Sequence, residues 1–92
     1  MYSFYIISYD LRNHGRDYTS LYDAIKSCGN WIHPLESTWI VYTNYDASEI
    51  SNILRDKGQM EERDLLFVCK LQIEDRQGWL NKSVWRWIKD KL

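Results

Sequence analysis

The side chains best suited to chemistry lie close together near the N-terminus of the sequence. Asp10 ends the apolar stretch FYIISYD, and Arg12, His14 and Arg16 follow it in the loop LRNHGR. Carboxylates are poor strand residues, so an aspartate at this position needs a partner. It can accept hydrogen bonds from loop amides or pair with Arg12 or Arg16. The basic residues can contact a phosphate backbone, or they can form a solvated loop whose cations pair with nearby carboxylates.

The remaining chemical signals in the sequence are weak. His14 can act as a general acid, although a lone loop histidine is more often simply exposed. His33, beside Pro34, is typical of turn chemistry. The sequence has no Ser-His-Asp pattern and no glycine-rich phosphate loop. Cys28 and Cys69 lack metal-ligand spacing, and we interpret both as buried thiols, with a disulfide or a reactive thiol as the alternative.

The composition restricts the class of partner. A formal net charge of −1 over 92 residues excludes nucleic-acid binding through overall charge but leaves room for a local basic patch. Five tryptophans, seven tyrosines and two phenylalanines are more aromatic surface than a small domain easily hides. Such residues are enriched at interfaces, which predicts a homodimer, whereas half-exposed rings around a monomer are the alternative. No targeting or membrane-spanning segment is recognised, so we expect a cytoplasmic protein.

Periodicity predicts a first strand at residues 2–10 whose two faces are both apolar, which indicates that both are covered. Asp17 can then begin a helix, and Gly29 ends it. The residues between them form one amphipathic stripe: Tyr18, Leu21, Tyr22, Ile25 and Cys28. The predicted first helix therefore follows the Asp10 loop directly in the sequence.

The middle of the chain predicts two further strands around a second helix. Residues 31–43 form the second strand, where Pro34 marks a bend, bulge or edge. Pro34 can divide this segment into two short strands, but we favour one longer strand at 35–43. Asp46 and Glu49 resemble a capping box at the start of the second helix. After a charged, solvated connection, residues 65–71 form an almost wholly apolar strand, which predicts burial on both sides.

The C-terminal segment predicts a short third helix. Asn81 or Ser83 can cap it, and Val84, Ile88 and Leu92 share one face. We therefore expect a single domain over residues 1–92, with a core at about 2–73 and a tail helix at about 79–92. The predicted class is α+β, from strands that alternate with helices.

These segments, in this order, resemble the CRISPR-associated protein 2 family, the smaller subunit of the spacer-integration machinery. They are more similar still to its small stand-alone bacterial and phage relatives, and virulence-associated protein D is a further relative. The resemblance covers roughly residues 2–71 and rests on four stretches: YIISYDL, CGNW, ESTWIV and LLFVCKL. Tyr9, Asp10 and Leu11 match the family's strand end. Ser37 and Trp39 match its S-V-F motif, with Trp for Phe, whereas Leu35 replaces the family glutamine.

The resemblance implies a ferredoxin-like βαββαβ fold, an antiparallel sheet with two helices on one face, here followed by a C-terminal helix. It also implies a homodimer in which two sheets pack face to face. Asp10 would then meet its symmetry mate, and the two carboxylates could hold Mg²⁺ between them. Such a metal could activate water for phosphodiester cleavage. A structural or metal-holding role without turnover is the interpretation we favour.

The same resemblance suggests nucleic-acid contacts through Arg12, His14, Arg16 and Ser37, although Ser37 is equally well explained as a small residue that accommodates the partner sheet. In the tail, Trp79, Trp85 and Trp87 lie among lysines and an arginine. They can stack on single-stranded nucleic acid or anchor the tail on a protein partner, and we favour packing or partner contact. The expected function is a dimeric, non-catalytic nucleic-acid-associated or protein-interaction module. The alternative is an Mg²⁺-dependent endonuclease that acts on RNA or DNA through paired Asp10.

Overall fold

A computed structural model describes residues 1–13, 15 and 17–92, which contain four strands and three helices. The elements are β1 (Ser3–Asp10), α1 (Thr19–Ser27), β2 (Asn30–Leu35), β3 (Thr38–Thr43), α2 (Ala47–Asp56), β4 (Leu65–Leu71) and α3 (Lys82–Lys91). His14 and Arg16, two of the residues predicted to contact nucleic acid, lie outside the described residues. Among the described residues, no helix is both long enough and apolar enough to cross a membrane.

The strands form one antiparallel sheet in the order β2-β3-β1-β4. The two central strands are β1 and β3, which pair from Ser3 with Thr43 to Ser8 with Thr38. This arrangement, with α1 and α2 on one side, confirms the predicted α+β, ferredoxin-like architecture and its additional C-terminal helix.

One side of the sheet, the α1/α2 face, carries the main hydrophobic core. Ile7 at its centre is wholly buried, as are Leu21 of α1 and Leu54 of α2. The buried sheet residues on this face are Tyr5, Ile7, Tyr9, Trp39 and Val41. Because side chains alternate along β1, Tyr5, Ile7 and Tyr9 lie on this side of the sheet. Phe4, Ile6, Ser8 and Asp10 lie on the other side.

Local signals explain where α1 and α2 begin and end. The capping box predicted for α2 is present: Asp46 accepts a hydrogen bond from the Glu49 amide at 2.8 Å, and the Asp46 amide donates to the Glu49 carboxylate at 3.0 Å. Before α1, the hydroxyl and amide of Thr19 donate to Asp17, and these bonds lower the pKa of the Asp17 carboxyl. After α1, Gly29 passes so close to β3 that a Cβ atom would lie 2.6 Å from the Tyr42 carbonyl oxygen.

The prediction of one long strand at 35–43 is wrong, because the segment folds into the β2–β3 hairpin with its turn at residues 36–37. The imidazole Nε2 of His33 lies 2.9 Å from the Glu36 carbonyl oxygen and so bonds to the turn. Pro34 lies in edge strand β2, where the register shifts between Ile32 and Leu35. An edge strand tolerates the missing proline amide proton, which agrees with the expected bulge or edge.

The last strand and its cysteine also differ from prediction. Strand β4 is an edge strand, not one buried on both sides: Leu65 is 52% exposed and Phe67 is 62% exposed. Cys28 is buried as expected, but Cys69 is exposed, and both are free thiols. The reason is that side chains along β4 point alternately to the two sides of the sheet. Leu66 and Val68 pack against the main core, whereas Leu65, Phe67 and Cys69 lie on the opposite side.

Helix α3 covers part of the second side of the sheet, which we call the α3 face. A second buried cluster forms there from Phe4, Ile40, Ile73, Val84 and Ile88. The tail of the same chain therefore fills part of the face that the resemblance assigned to a partner sheet. The rest of the α3 face, near the end of β1, is the open end: Ser8, Thr38, Leu65, Phe67 and Cys69, all half-buried or exposed.

Candidate functional site

Asp10 is the last residue of β1 and lies at the boundary of the open end. Its Cα partner in the sheet is Leu65 of β4, and its side chain is 59% exposed. The nearest cation among the described residues is Arg12, whose Nη1 lies 3.6 Å from Oδ2 of Asp10. Because both groups are solvated, this pair contributes at most about 1 kcal/mol to stability. Asp10 is therefore available to bind something else.

A buried carboxylate that sequence reasoning missed holds the chain after Asp10. Asp64 accepts hydrogen bonds from the backbone amide of Arg12 at 2.9 Å and from that of Glu61 at 2.7 Å. It is 3% exposed, although its segment was predicted to be a solvated connection. Its position directly before an apolar strand was the available signal. Asp64 makes the start of the Asp10 loop a defined structure, which a site needs.

Two cavities border Asp10. One, of about 250 Å³, lies at the open end and is lined by Ser8, Leu65 and Phe67 among others. The other, of about 220 Å³, is lined by tyrosines of β1 and α1 and by the β2–β3 turn. Across residues 1–13, 15 and 17–92, no group of three or more His, Cys, Asp or Glu side chains could hold a metal ion. Among these described residues, Asp10 belongs to no such group.

Ser37 is close to Asp10 in the fold. It lies exposed in the β2–β3 turn, its carbonyl oxygen accepts a hydrogen bond from the Tyr9 amide at 3.2 Å, and it lines the same cavity as Asp10. Arg12 and Ser37 are the two predicted nucleic-acid contacts that the structure describes. Both are exposed and lie near the end of β1.

The three tail tryptophans have different surroundings. Trp87 packs against Phe4 with ring centroids 6.0 Å apart, and the Lys91 ammonium lies 5.0 Å from its ring centroid. Trp85 packs against the α3-face cluster. Trp79 is 99% exposed, in the segment before α3. Two of the three therefore anchor the tail on its own sheet, which leaves Trp79 as the ring available to a partner.

An aromatic cluster on the α1/α2 face is the largest feature that the sequence did not reveal. The Trp39 indole stacks on His33 at 3.9 Å and lies 5.2 Å from Tyr22. Its Nε1–H donates to the Tyr9 hydroxyl at 3.1 Å. Burial raises the pKa of that phenol from 10.0 to about 12, so Tyr9 stays protonated at neutral pH.

Comparison with known proteins adds no relative from which roles could be transferred. No protein-family model matches the sequence, and neither a curated protein nor a solved structure matches the chain. The similarity to the CRISPR-associated protein 2 family therefore stays a prediction, and the functional argument depends on the geometry around Asp10.

Proposed function

We propose that this chain is a homodimeric, non-catalytic interaction module that associates with nucleic acid in the cytoplasm, as in a CRISPR-associated protein 2-like protein. One observation carries the proposal. The open end of the α3 face presents exposed apolar side chains, Leu65 and Phe67, directly beside the exposed Asp10 and Arg12. A second copy on this surface would bury the apolar residues and bring the charged loops of two subunits together.

The size of the surface predicts a weak dimer. The open end offers about five residues from each subunit, against roughly 20–30 a side in a standard interface. The exposed Trp79 is one further apolar group that could enlarge it. We expect a dissociation constant of the dimer that is micromolar or weaker, because small interfaces rarely offset the entropy of association.

Sedimentation equilibrium over a wide concentration range tests the dimer. Phe67→Lys should weaken it at least tenfold, because it places an ammonium group in the buried centre. Tyr45→Lys is the matched control, since Tyr45 is also an exposed aromatic residue but lies before α2, away from the open end. A wild-type chain that stays monomeric up to about 1 mM, or a Tyr45 variant that dissociates as much as the Phe67 variant, contradicts the proposal.

Cys69 offers an independent measurement, because its thiol lies at the open end. Its rate of modification by a thiol reagent should fall as protein concentration rises through the dimerisation range, since the partner covers it. In the Phe67→Lys variant the rate should not depend on concentration. A wild-type rate that is also constant, while sedimentation shows a dimer, would place the interface elsewhere.

Nucleic-acid association is proposed to depend on Arg12, with Ser37 beside it. We expect binding of RNA or DNA oligonucleotides at low salt that weakens steeply as salt rises. Arg12→Gln should reduce the affinity and lower the salt slope by about one. Arg55→Gln, at the exposed end of α2, is the control. Fluorescence anisotropy measures both variants, and an Arg12 variant that binds like the control argues against this contact.

A larger protein partner is the remaining part of the proposal, and Trp79 is its expected anchor. A fully exposed tryptophan is costly in water and frequent at the centre of interfaces. A partner captured by the wild-type chain should be lost with Trp79→Ser and retained with Trp85→Phe, because Trp85 packs on the chain's own sheet. Equal capture by both variants would exclude Trp79 as the anchor.

An Mg²⁺-dependent endonuclease is the second candidate, favoured by the exposed carboxylate of Asp10 at the edge of the proposed dimer surface. Two symmetry-related Asp10 side chains could share one Mg²⁺. Cleavage should then require Mg²⁺ and be abolished by Asp10→Asn, whereas Asp56→Asn on α2 leaves it unchanged. Mg²⁺ should also strengthen the dimer of the wild type only. Cleavage that survives Asp10→Asn would indicate a contaminating nuclease.

A further inference from the structure

A cavity of about 360 Å³ lies on the α3 face, between the sheet, the segment before α3 and α3 itself. Its volume falls in the roughly 300–1,000 Å³ range of small-molecule sites. Strand residues form its floor, and residues of α3 and of the segment before it form its walls: Ile6, Ile40 and Leu71 below, and Leu80, Trp85 and Ile88 above. The cavity can therefore enclose the apolar body of a small organic molecule.

A half-buried cation, Arg76, borders this cavity. Its Nη1 donates hydrogen bonds to the carbonyl oxygens of Ile73 at 3.1 Å and Glu74 at 3.4 Å, which hold the side chain against its own segment. Every aspartate and glutamate of the chain is among the described residues, and none of them lies within ion-pair distance of this guanidinium. The two residues outside the description, His14 and Arg16, are basic and cannot supply the missing negative charge. Arg76 is thus a partly desolvated cation without a counter-charge.

The other polar groups at the border of the cavity are more exposed than Arg76. Asp75 is the carboxylate in the described lining, but its side chain is in water, which screens its effect on a ligand. Gln72 and Gln77 add neutral amides that can donate hydrogen bonds to an oxygen at the same border. Because a charge acts more strongly where it is withdrawn from water, Arg76 favours an anionic group here.

We propose that this cavity binds a small organic acid, with its apolar body against Ile40, Trp85 and Ile88 and its carboxylate on the remaining N–H groups of Arg76. Burial of the body removes apolar surface from water, and the planar guanidinium orients the carboxylate through charge-assisted hydrogen bonds. The described lining belongs to one subunit, so the site does not rest on the proposed dimer, on nucleic acid or on Mg²⁺.

The ligand class can be tested with phenylacetate, its uncharged isostere phenylacetamide, and acetate, which lacks the apolar body. Nuclear magnetic resonance follows the methyl signals of Ile40 and Ile88, with Ile25 in the main core as the internal reference. We expect saturable shifts with phenylacetate in the millimolar range, binding of phenylacetamide at least fivefold weaker, and no saturation with acetate. Equal affinity for the acid and the amide, or no saturation up to about 50 mM phenylacetate, overturns the proposal.

Arg76→Gln separates the charge of Arg76 from its contacts with the segment before α3. Phenylacetate should bind about fivefold to tenfold more weakly to this variant, whereas the affinity for phenylacetamide should stay within about twofold. Arg86→Gln is the matched control, since Arg86 is an exposed arginine of α3 outside the described lining. If Arg76→Gln weakens the binding of both compounds equally, Arg76 only supports the segment and the proposal fails.

Ile6→Phe tests whether the cavity itself is the site. The larger ring should fill the floor and weaken phenylacetate binding at least tenfold, whereas Ile6→Val, which keeps the cavity open, should retain it within about twofold. An unchanged Ile25 signal shows that the main core remains folded. If Ile6→Phe does not fold, Leu80→Phe in the half-buried wall gives the same test. Wild-type affinity in the folded variant places phenylacetate elsewhere and overturns the proposal.

The carboxylate can belong to an aromatic acid or to a medium-chain fatty acid, and the same titration distinguishes the two sources. Octanoate is compared with phenylacetate on the wild-type chain. Tighter binding of octanoate assigns the site to an alkyl acid, and tighter binding of phenylacetate assigns it to an aromatic acid. If neither compound binds more tightly than acetate, the apolar lining contributes nothing and the site does not recognise this class of ligand.

Discussion

The two faces of the sheet are covered to different extents by the same chain. On the α1/α2 face, two helices bury a continuous core in which Ile7, Val41 and Leu54 have no measurable exposure. On the α3 face, one short helix covers the end near Phe4 and leaves Phe67 at the other end 62% exposed. Asp10, the candidate functional carboxylate, lies at the uncovered end. Stability therefore comes mainly from one face, and the other face keeps exposed apolar side chains.

This difference separates two roles that the aromatic composition alone could not distinguish. Trp39 and Tyr9 belong to the fully covered face, where they are part of the core. Phe67 and Trp79 remain exposed, and under the proposed function they contact a partner. Substitutions on the two faces should thus affect different measurements.

The largest expected effect is from Ile7→Ala, at the centre of the α1/α2 face. Its side chain is wholly buried between the sheet and the helices, so the truncation should lower the free energy of unfolding by about 3–4 kcal/mol. Urea denaturation measures it. The matched control is Ile6→Ala, on the next residue of the same strand but facing the α3 side, where the residue is half-buried and should cost about 1 kcal/mol.

Equal losses of unfolding free energy in Ile7→Ala and Ile6→Ala would contradict the difference between the two faces of the sheet. If the Ile7→Ala chain does not fold at all, Ile7→Val gives the same test at a smaller amplitude. It should cost about 1 kcal/mol and should still exceed Ile6→Val.

The α1/α2 face was largely predictable because its signals are local. The stripe through Leu21, Ile25 and Cys28 predicted which side of α1 is buried, and the capping box at Asp46 and Glu49 predicted where α2 begins. Each signal depends on residues three or four positions apart, which a single helix brings together whatever the rest of the chain does.

The features of the α3 face and of the site depend on contacts that are distant in sequence. The stripe of Val84 and Ile88 predicted a helix, but nothing in its spacing shows that it packs on Phe4 of its own chain. An apolar run such as residues 65–71 is compatible with an edge strand and with a central strand, so the sequence does not distinguish the two. The β2–β3 turn has no Gly or Asn at residues 36–37, so the hairpin had no strong turn signal. Asp64 reaches Arg12 across 52 residues.

A second prediction concerns the strength of the α3 contact. Ile88→Ala should lower the free energy of unfolding by about 2 kcal/mol, at the low end for a buried isoleucine, because a single short helix covers it. Hydrogen exchange measured on the same variant should show faster exchange in α3 than in α1. If Ile88→Ala costs as much as Ile7→Ala, the two faces contribute equally and the tail is part of the main core.

The third prediction uses two buried acids on the α1/α2 face. Burial raises the pKa of the Cys28 thiol from 9.0 to about 11 and that of the Tyr9 phenol from 10.0 to about 12. The folded chain thus holds both protons more tightly than the unfolded chain. Their contribution to stability is complete below pH 9 and is lost as the pH rises from 9 to 12. Urea denaturation at a series of pH values should show this decline.

Cys28→Ala separates the thiol from other groups that titrate in alkali. The variant should lose less stability than the wild type between pH 9 and 11, because the group responsible for part of the slope is gone. Cys69→Ala, at the open end, serves as the control substitution. A slope that is the same in wild type and Cys28→Ala would show that burial of this thiol does not influence the stability of the fold.

The smallest expected effect is from Phe67→Ala, although it removes a large ring. Because the side chain is already 62% exposed, the free energy of unfolding of the dilute monomer should change by no more than about 0.5 kcal/mol. The same substitution should weaken self-association severalfold, since the ring contributes apolar area only when a second copy covers it. Urea denaturation at low concentration and sedimentation at high concentration measure the two effects. A loss of more than about 1.5 kcal/mol in the monomer would mean that Phe67 packs within its own chain, so that the open end is part of the core rather than a surface for a partner.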